Sequence, residues 1–290
     1  MKKILIIGAN GQLGRKIKDF SNNDIFQEKI KFIFTDIEEL DITNSVALEN
    51  FLKANNFDFI VNCAAYTNVD AAENNYDNAK ILNADAPSFL AKYSKKYNSK
   101  FIHISTDYVF DGTQNIPYNE ENIPNPTSVY GATKLMGEHN VMSENIDSII
   151  IRTSWLYSEY GKNFVKTMLQ LAKEKDKIKV VYDQIGTPTY AGSLARDILN
   201  IINSQIVLNN WKSGIYHYSD LGVCSWFDLA TKVIEKYYGL KNVVIPILSS
   251  EFKTITKRPN YSVLDKSKIM KTFNLSLDYW ETALEKMLKE

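Results

Sequence analysis

The stretch Lys3-Ile4-Leu5-Ile6-Ile7-Gly8-Ala9-Asn10-Gly11-Gln12-Leu13-Gly14 carries an unbroken apolar run into a turn with a glycine at every third position. A short β-branched run of this kind reads as a strand buried on both faces, and the residues after it read as a helix to about Phe20. Glycines at Gly8, Gly11 and Gly14 permit a tight turn, close approach of backbone N–H groups to a pyrophosphate, and strand–helix packing. With 12 glycines in 290 residues, the spacing arises by chance in about one such chain in fifty. It only approximates the G-x-G-x-x-G fingerprint, and its weight comes from its place between a strand and a helix. Asp36 follows a second strand, Lys31–Thr35, where a carboxylate would accept hydrogen bonds from ribose hydroxyls.

Outward from that unit the alternation continues. Ser45–Ala54 reads as a helix, Phe57–Asn62 as a third strand, and Asn78–Tyr97 as a long helix with an irregularity at Pro87. Lys100–Ser105 and Ser148–Trp155 complete a set of five strands. Strands alternating with helices predict a doubly wound parallel α/β sheet of the Rossmann type. Between Tyr108 and Val129 the prolines and Gly112 predict a long loop, a length that is usually functional. Beyond Trp155 the alternation weakens. Helices are expected at Asn163–Lys173 and Leu194–Asn203, strands at Ile178–Tyr182 and Ile215–Tyr218, and a helix capped by Ser225-x-x-Asp228. The division predicted is a dinucleotide-binding domain over 1–155 and a smaller substrate lobe over 156–290, some segments of which return to the first domain.

Composition narrows the function. The chain is 44% hydrophobic and 23% charged, with 34 Lys plus Arg against 34 Asp plus Glu. Zero net charge argues against bulk nucleic acid or an anionic membrane as the main partner, while a small anionic ligand needs only a local cluster. Two cysteines, Cys63 and Cys224, make no disulfide framework, and no Cys/His spacing suggests a metal. The apolar run after Met1 stops at Gly8, too short for a signal peptide, and nothing approaches the ~20 residues of a membrane span. The expectation is a reduced, soluble, cytoplasmic protein. His103, on a strand, reads as a core histidine and Cys63 as a packing residue.

The chemistry centres on Tyr130-x-x-x-Lys134, which puts a phenol and an ammonium on one helix face. By count the motif is weak. With 17 Tyr and 30 Lys (34 basic residues less four Arg), about two such pairs arise by chance, and the chain has three, the others being Tyr76/Lys80 and Tyr237/Lys241. Only the middle pair opens a helix after the strand end Ile104-Ser105-Thr106, where open α/β sheets bind ligands. A Lys ammonium ~5 Å from a phenol at an effective dielectric of ~20 would favour the phenolate by about 3 kcal/mol, roughly two pKa units. Such a tyrosine could protonate an alkoxide as hydride reaches a carbonyl, with the Thr106 hydroxyl on the same oxygen.

Taken together these residues resemble the extended short-chain dehydrogenase/reductase family, in its branch acting on 4-keto nucleotide sugars. The resemblance rests on Gly8–Gly14, Asp41-Ile42, Val61–Glu73, Ser105–Thr113, Pro117-Tyr118, Val129–Glu138, Ile151–Tyr157, Asp183–Thr189 and Arg258–Asp265. It implies hydride transfer from NADH or NADPH to the C4 ketone of dTDP-4-dehydro-6-deoxy-L-mannose, with Tyr130 as general acid and Lys134 and Thr106 assisting. It also implies that Gly11, Gln12 and Leu13 form the cofactor turn, that Asp36 contacts the adenosine ribose and thus favours NADH, and that Asp41-Ile42 edge the adenine. Ala65, Tyr66, Thr67 and Ile104 would wall the dinucleotide. Arg258, the one of four arginines that precedes a proline in a late loop of the second half, is read separately as holding the substrate pyrophosphate; the resemblance has Thr106, Asp107 and Trp155 contact the sugar. A homodimer is the assembly it allows. Where some members place an interface magnesium ligand, this chain reads Tyr190-Ala191-Gly192, so no metal is expected. Asp107 is followed by Tyr108 where the family's 4,6-dehydratases carry an Asp-Glu pair, which favours simple reduction. A 4-epimerase, another nucleotide-sugar reductase, or a non-catalytic regulatory subunit on the same fold are the alternatives.

Overall fold

The computed structural model describes residues 1–21, 30–239 and 243–289. Its centre is a six-stranded parallel sheet. Strands β1 (Lys2–Ile7), β2 (Ile30–Thr35), β3 (Phe59–Asn62), β4 (Lys100–Thr106) and β5 (Ile149–Thr153) come from the first half of the chain. Helices α1 (Gln12–Ser21) and α2 (Ser45–Asn55) cross between the first three strands, and α3 (Val69–Ala72), α4 (Tyr76–Lys80) and α5 (Ala86–Lys96) lead to the fourth. Helix α6 (Val129–Glu144) leads to the fifth. The second half adds β6 (Leu156–Tyr157), α7 (Phe164–Glu174), β7 (Ile178–Val181), β8 (Ile185–Gly186), β9 (Thr189–Tyr190) and α8 (Ala191–Leu208). Then come β10 (Gly214–Tyr218), β11 (Cys224–Ser225), α9 (Trp226–Tyr238), β12 (Val244–Ile247), α10 (Ser267–Phe273) and α11 (Trp280–Lys289).

The order in the sheet is β10-β5-β4-β3-β1-β2. Strand β1 has β2 on one side and β3 on the other, so the winding direction changes there, and a crevice opens at the carboxyl ends of the strands. Period-2 alternation sends Ile4 and Ile6 into one apolar layer with α1 and α8, and Leu5 and Ile7 into the other with α2 and α5. Burial of each such side chain is worth about 1.5–3 kcal/mol, and β3, β4 and β5 contribute to both layers in the same way. A third core, including Tyr157, Val165, Leu229, Val233 and Leu284, holds the second-half elements together.

Several local expectations are corrected. The helix expected over Asn78–Tyr97 is interrupted by a π turn, Ile81–Asp85. Pro87 has no N–H for the Asn83 carbonyl, and the widened turn frees that group. Gly137 of α6 packs so closely on the Asn83 carbonyl oxygen that a Cβ there would lie 2.0 Å from it. Strand β5 stops at Thr153 rather than Trp155, because Trp155 turns left-handed at φ 48°. Strand β10 joins the sheet beside β5, and α8 packs on the α1 layer, so second-half segments build the same core as the first 155 residues. The box expected at Ser225 and Asp228 caps α9, with both reciprocal hydrogen bonds present.

Helix α6 is fastened to β5 by a buried ion pair. Glu138 and Arg152, 1% and 2% exposed, meet at 2.6 Å, and the Ser105 hydroxyl also donates to Glu138. Breaking such a pair strands a charge in low dielectric. Arg152→Met is therefore expected to cost about 3–5 kcal/mol in urea unfolding, and Arg152→Met with Glu138→Leu to recover most of it. A loss below about 1 kcal/mol in the single variant would show that the pair does not fasten the helix.

Candidate active site

The β1–α1 turn is shaped by contacts that only glycine tolerates. Gly8 has φ +74°, and a Cβ on it would sit 2.7 Å from the Ala64 backbone nitrogen. A Cβ on Gly14 would sit 2.4 Å from the Gly8 carbonyl oxygen. The helix therefore seats directly on the strand end, with its unpaired first-turn N–H groups and positive dipole end facing the crevice. Asp36, one residue past β2, ties this turn down. Its two carboxylate oxygens accept the Asn10 and Ile37 backbone N–H groups, at 2.8 and 2.9 Å.

Seventeen of the site residues read from the sequence line one cleft of about 1070 Å³: Gly8, Gly11, Gln12, Leu13, Asp36, Asp41, Ile42, Ala65, Tyr66, Thr67, Ile104, Thr106, Asp107, Tyr130, Lys134, Trp155 and Arg258. Gly14 lies just behind, as the seat of α1. The chain after β3 is held by Asn83, whose side chain accepts from the Tyr66 N–H at 2.8 Å and donates to the Tyr66 carbonyl at 3.1 Å. Asp41 is turned to its own loop, accepting from the Thr43 N–H and hydroxyl. The Gln12 side chain spans to the second half, accepting from Asn163 Nδ2 at 2.9 Å and from the Ser158 hydroxyl at 3.2 Å.

Ser128 caps α6 by accepting the Gly131 N–H, which places Tyr130 in the first turn and Lys134 one turn deeper. The Tyr130 ring meets Tyr108 edge-on at 5.4 Å. The Thr106 hydroxyl donates to Asp107 at 3.1 Å and accepts the Tyr108 N–H at 3.2 Å. Lys134 Nζ donates to the Ile104 carbonyl at 2.6 Å and lies 3.4 Å from His103 Nε2.

The electrostatics correct one expectation. Burial pushes the Tyr130 phenol up to about 12, opposed by hydrogen bonding from Thr106 and reinforced by the Asp107 charge. No lysine contribution offsets this burial; Lys134 donates to the Ile104 carbonyl and is itself pushed down to about 8 by burial. Asp107 is pushed up to about 6, chiefly by burial.

On the second-half side Trp155 stacks on Trp226 with centroids 3.6 Å apart and planes 9° apart. A Cβ on Gly186 would strike the Trp155 indole at 2.6 Å, so that ring is held on both faces. Sequence reasoning missed Trp226: it lies 71 positions from Trp155, and only the packing of α9 brings them together. Arg258 Nη2 is 3.6 Å from Asp70 on α3, and its Nε is buried without a hydrogen-bond partner.

Tyr76, Lys80 and Tyr237 of the two other Tyr/Lys spacings stay outside the cleft. Tyr76 and Tyr237 are 42% and 53% exposed, and Lys241 lies outside the described residues. His103 is fully buried, and Cys63 lines the cleft, its thiol pushed up to about 12 by burial. Among the described residues no cluster of His, Cys, Asp and Glu could hold a metal ion, and no helix is long and apolar enough to cross a membrane.

The chain is 39% identical over 290 residues to a dTDP-4-dehydrorhamnose reductase of Aggregatibacter actinomycetemcomitans, with 98% of each chain covered. Among solved structures it is similar to a dTDP-4-dehydrorhamnose reductase of Clostridium acetobutylicum at a TM-score of 0.92 and 40% identity, covering 99% of this chain and 98% of that one. It is similar also to the Bacillus anthracis dTDP-4-dehydrorhamnose reductase in complex with NADP, at a TM-score of 0.92 and 38% identity, covering 100% and 99%. The family model of the RmlD substrate binding domain matches residues 1–290. With that model spanning every residue and relatives this similar over their full length, the chain belongs to the RmlD substrate binding domain family.

Proposed function

We propose that the chain is a nicotinamide-dependent reductase that converts dTDP-4-dehydro-6-deoxy-L-mannose (dTDP-4-dehydrorhamnose) to dTDP-L-rhamnose at C4. The observation that carries this reading is that Thr106, Tyr130 and Lys134 line the same cleft as the glycine turn. NADH or NADPH supplies the hydride when bound. The residues fit such a group: Gly8 and Gly14 let the helix seat on the strand end, so that the backbone of Gly8, Gly11, Gln12 and Leu13 lines the cleft at a helix N-terminus.

In this reading the first-turn N–H groups of Gln12 and Leu13 hold a pyrophosphate, and Asp36 accepts from ribose hydroxyls. Asp41 and Ile42 edge the adenine, while Ala65, Tyr66, Thr67 and Ile104 form the wall. Tyr130 does the acid chemistry. A phenol held near 12 keeps its proton at neutral pH and surrenders it only to a stronger base, which the alkoxide forming at the sugar C4 is. The Thr106 hydroxyl donates to the same oxygen, and Lys134 supplies positive charge beneath it. Trp155, held between Trp226 and Gly186, presents the edge of its indole to the sugar beside Asp107. Arg258 offers its unpartnered Nε–H to the sugar-side pyrophosphate. Residues 156–290, less the segments that complete the sheet, make the substrate lobe. The same reading has a cytoplasmic enzyme, with a homodimer as its assembly.

Tyr130→Phe is expected to lower kcat by roughly 10²–10⁴-fold with cofactor Kd nearly unchanged, because the phenol acts only as the alkoxide forms. Stopped-flow turnover together with fluorescence titration checks this, and near-normal kcat would sink the assignment.

Asp36→Ala is expected to weaken NADH more than NADPH, since the carboxylate binds two ribose hydroxyls and repels a 2′-phosphate. Equal changes in the two Kd values would show that Asp36 reads neither.

Arg258→Ala is expected to raise KM for the dTDP-sugar by about tenfold or more, an effect largest at low salt, and to leave NADH binding alone. An unchanged KM with a lowered Tm would make Arg258 a structural residue of its loop.

A further inference from the structure

Asn62 closes β3 and lies beside His103 on β4, and both side chains are fully buried. Asn62 Oδ1 accepts the Ala64 backbone N–H at 3.1 Å. A backbone amide can only donate, so the Asn62 oxygen is committed to Ala64 and its amide nitrogen is turned to the histidine. That nitrogen is 3.1 Å from His103 Nδ1. An amide nitrogen donates and does not accept, so Nδ1 offers its lone pair and the ring hydrogen resides on Nε2. Burial and the neighbouring Lys134 charge hold His103 well below its ordinary value, so the ring stays neutral.

The Nε2–H therefore faces Lys134 Nζ at 3.4 Å. An ammonium has three hydrogens and no lone pair, and meets this N–H unfavourably. A neutral amine accepts it while still donating to the Ile104 carbonyl at 2.6 Å. We propose that Asn62 and His103 are positioning residues that fix an N–H dipole against Lys134, so that its amine is readily discharged instead of being a permanent cation. Other groups around Lys134 act differently. Glu138, one turn along α6, favours the charged form but is shared with Arg152 of β5 and Ser105 of β4. Tyr130 on α6, Asp107 after β4 and Cys63 after β3 line the same cleft, and the π turn brings the uncharged Asn83. The direction agrees with a Lys134 pushed down to about 8.

The consequence for turnover rests on the reductase reading: the rate should fall as pH rises through the Lys134 transition. Two measurements need no substrate. Side-chain ¹⁵N spectra of His103 in the wild-type protein are expected to show the Nε2–H tautomer from pH 6 to 9. Titration of Lys134 through its ¹³Cε shift is expected to give a step near pH 8 in the wild type. In Asn62→Asp, one carboxylate oxygen still accepts from Ala64 while the other draws the ring hydrogen to Nδ1, which turns the Nε2 lone pair to the ammonium. In His103→Phe the N–H is removed and no charge is added. Both variants should move the step upward by about one pH unit, tenfold in proton affinity. An Nδ1–H tautomer in the wild type would overturn the proposal, as would a step unmoved in His103→Phe. A step moved in Asn62→Asp alone reports only the new carboxylate and counts against it too. If His103→Phe does not fold, the wild-type tautomer decides. A lysine that titrates as expected in a protein that reduces no 4-keto sugar would sink the reductase reading and leave this one standing.

Discussion

The seating of α1 on the end of β1 is the constraint on which the rest of the molecule depends. Gly8 and Gly14 let two stretches of backbone approach to distances no side chain would survive, and Asp36 fastens the turn from the next strand. Move that helix outward by the width of a methyl group and three things change together. The first-turn N–H groups leave the crevice, the apolar layer shared by α1 and α8 opens, and Gln12 loses its reach to Asn163. The same turn therefore aims a dipole, closes a core and joins the two halves of the chain.

On the other side of the crevice, the chemistry is set by what is buried beneath α6. Lys134, Glu138, Arg152 and His103 are each almost wholly enclosed, an arrangement that costs desolvation for every charge in it. Glu138 and Arg152 neutralise one another and hold the helix to β5, while Lys134 is left with one carbonyl and one imidazole. The outcome is a tyrosine kept protonated and a lysine close to discharge. The first is what a proton donor at neutral pH needs, and the second is the more easily titrated of the two.

The sheet was legible because its central strands are short apolar runs buried on both faces, bounded by turn residues, and that pattern needs only local sequence. The cleft was legible because its residues sit at strand ends, where the order of elements predicts a crevice. What escaped depends on distant packing. The π turn before Pro87 follows from a missing N–H combined with the approach of Gly137, 50 residues on. Trp155 leaves β5 because its indole is caught between Gly186 and Trp226, neither adjacent in sequence. The direction of the Tyr130 shift was misread because a pair of charges at helical spacing was weighed without the burial around them. Burial of the phenol is the largest influence, and the Asp107 charge adds to it.

The central claim is that hydride passes to a sugar C4 ketone within the cleft shared by the glycine turn and Tyr130. The most direct measurement is product analysis after incubation of the purified protein with dTDP-4-dehydrorhamnose and cofactor deuterated at the nicotinamide C4, one hydrogen face at a time. One face should yield dTDP-rhamnose heavier by one deuterium, located by NMR at the sugar C4 alone, and the other face should yield unlabelled product. Deuterium at C3 or C5, label from both faces, or turnover with no label in the sugar would contradict the account.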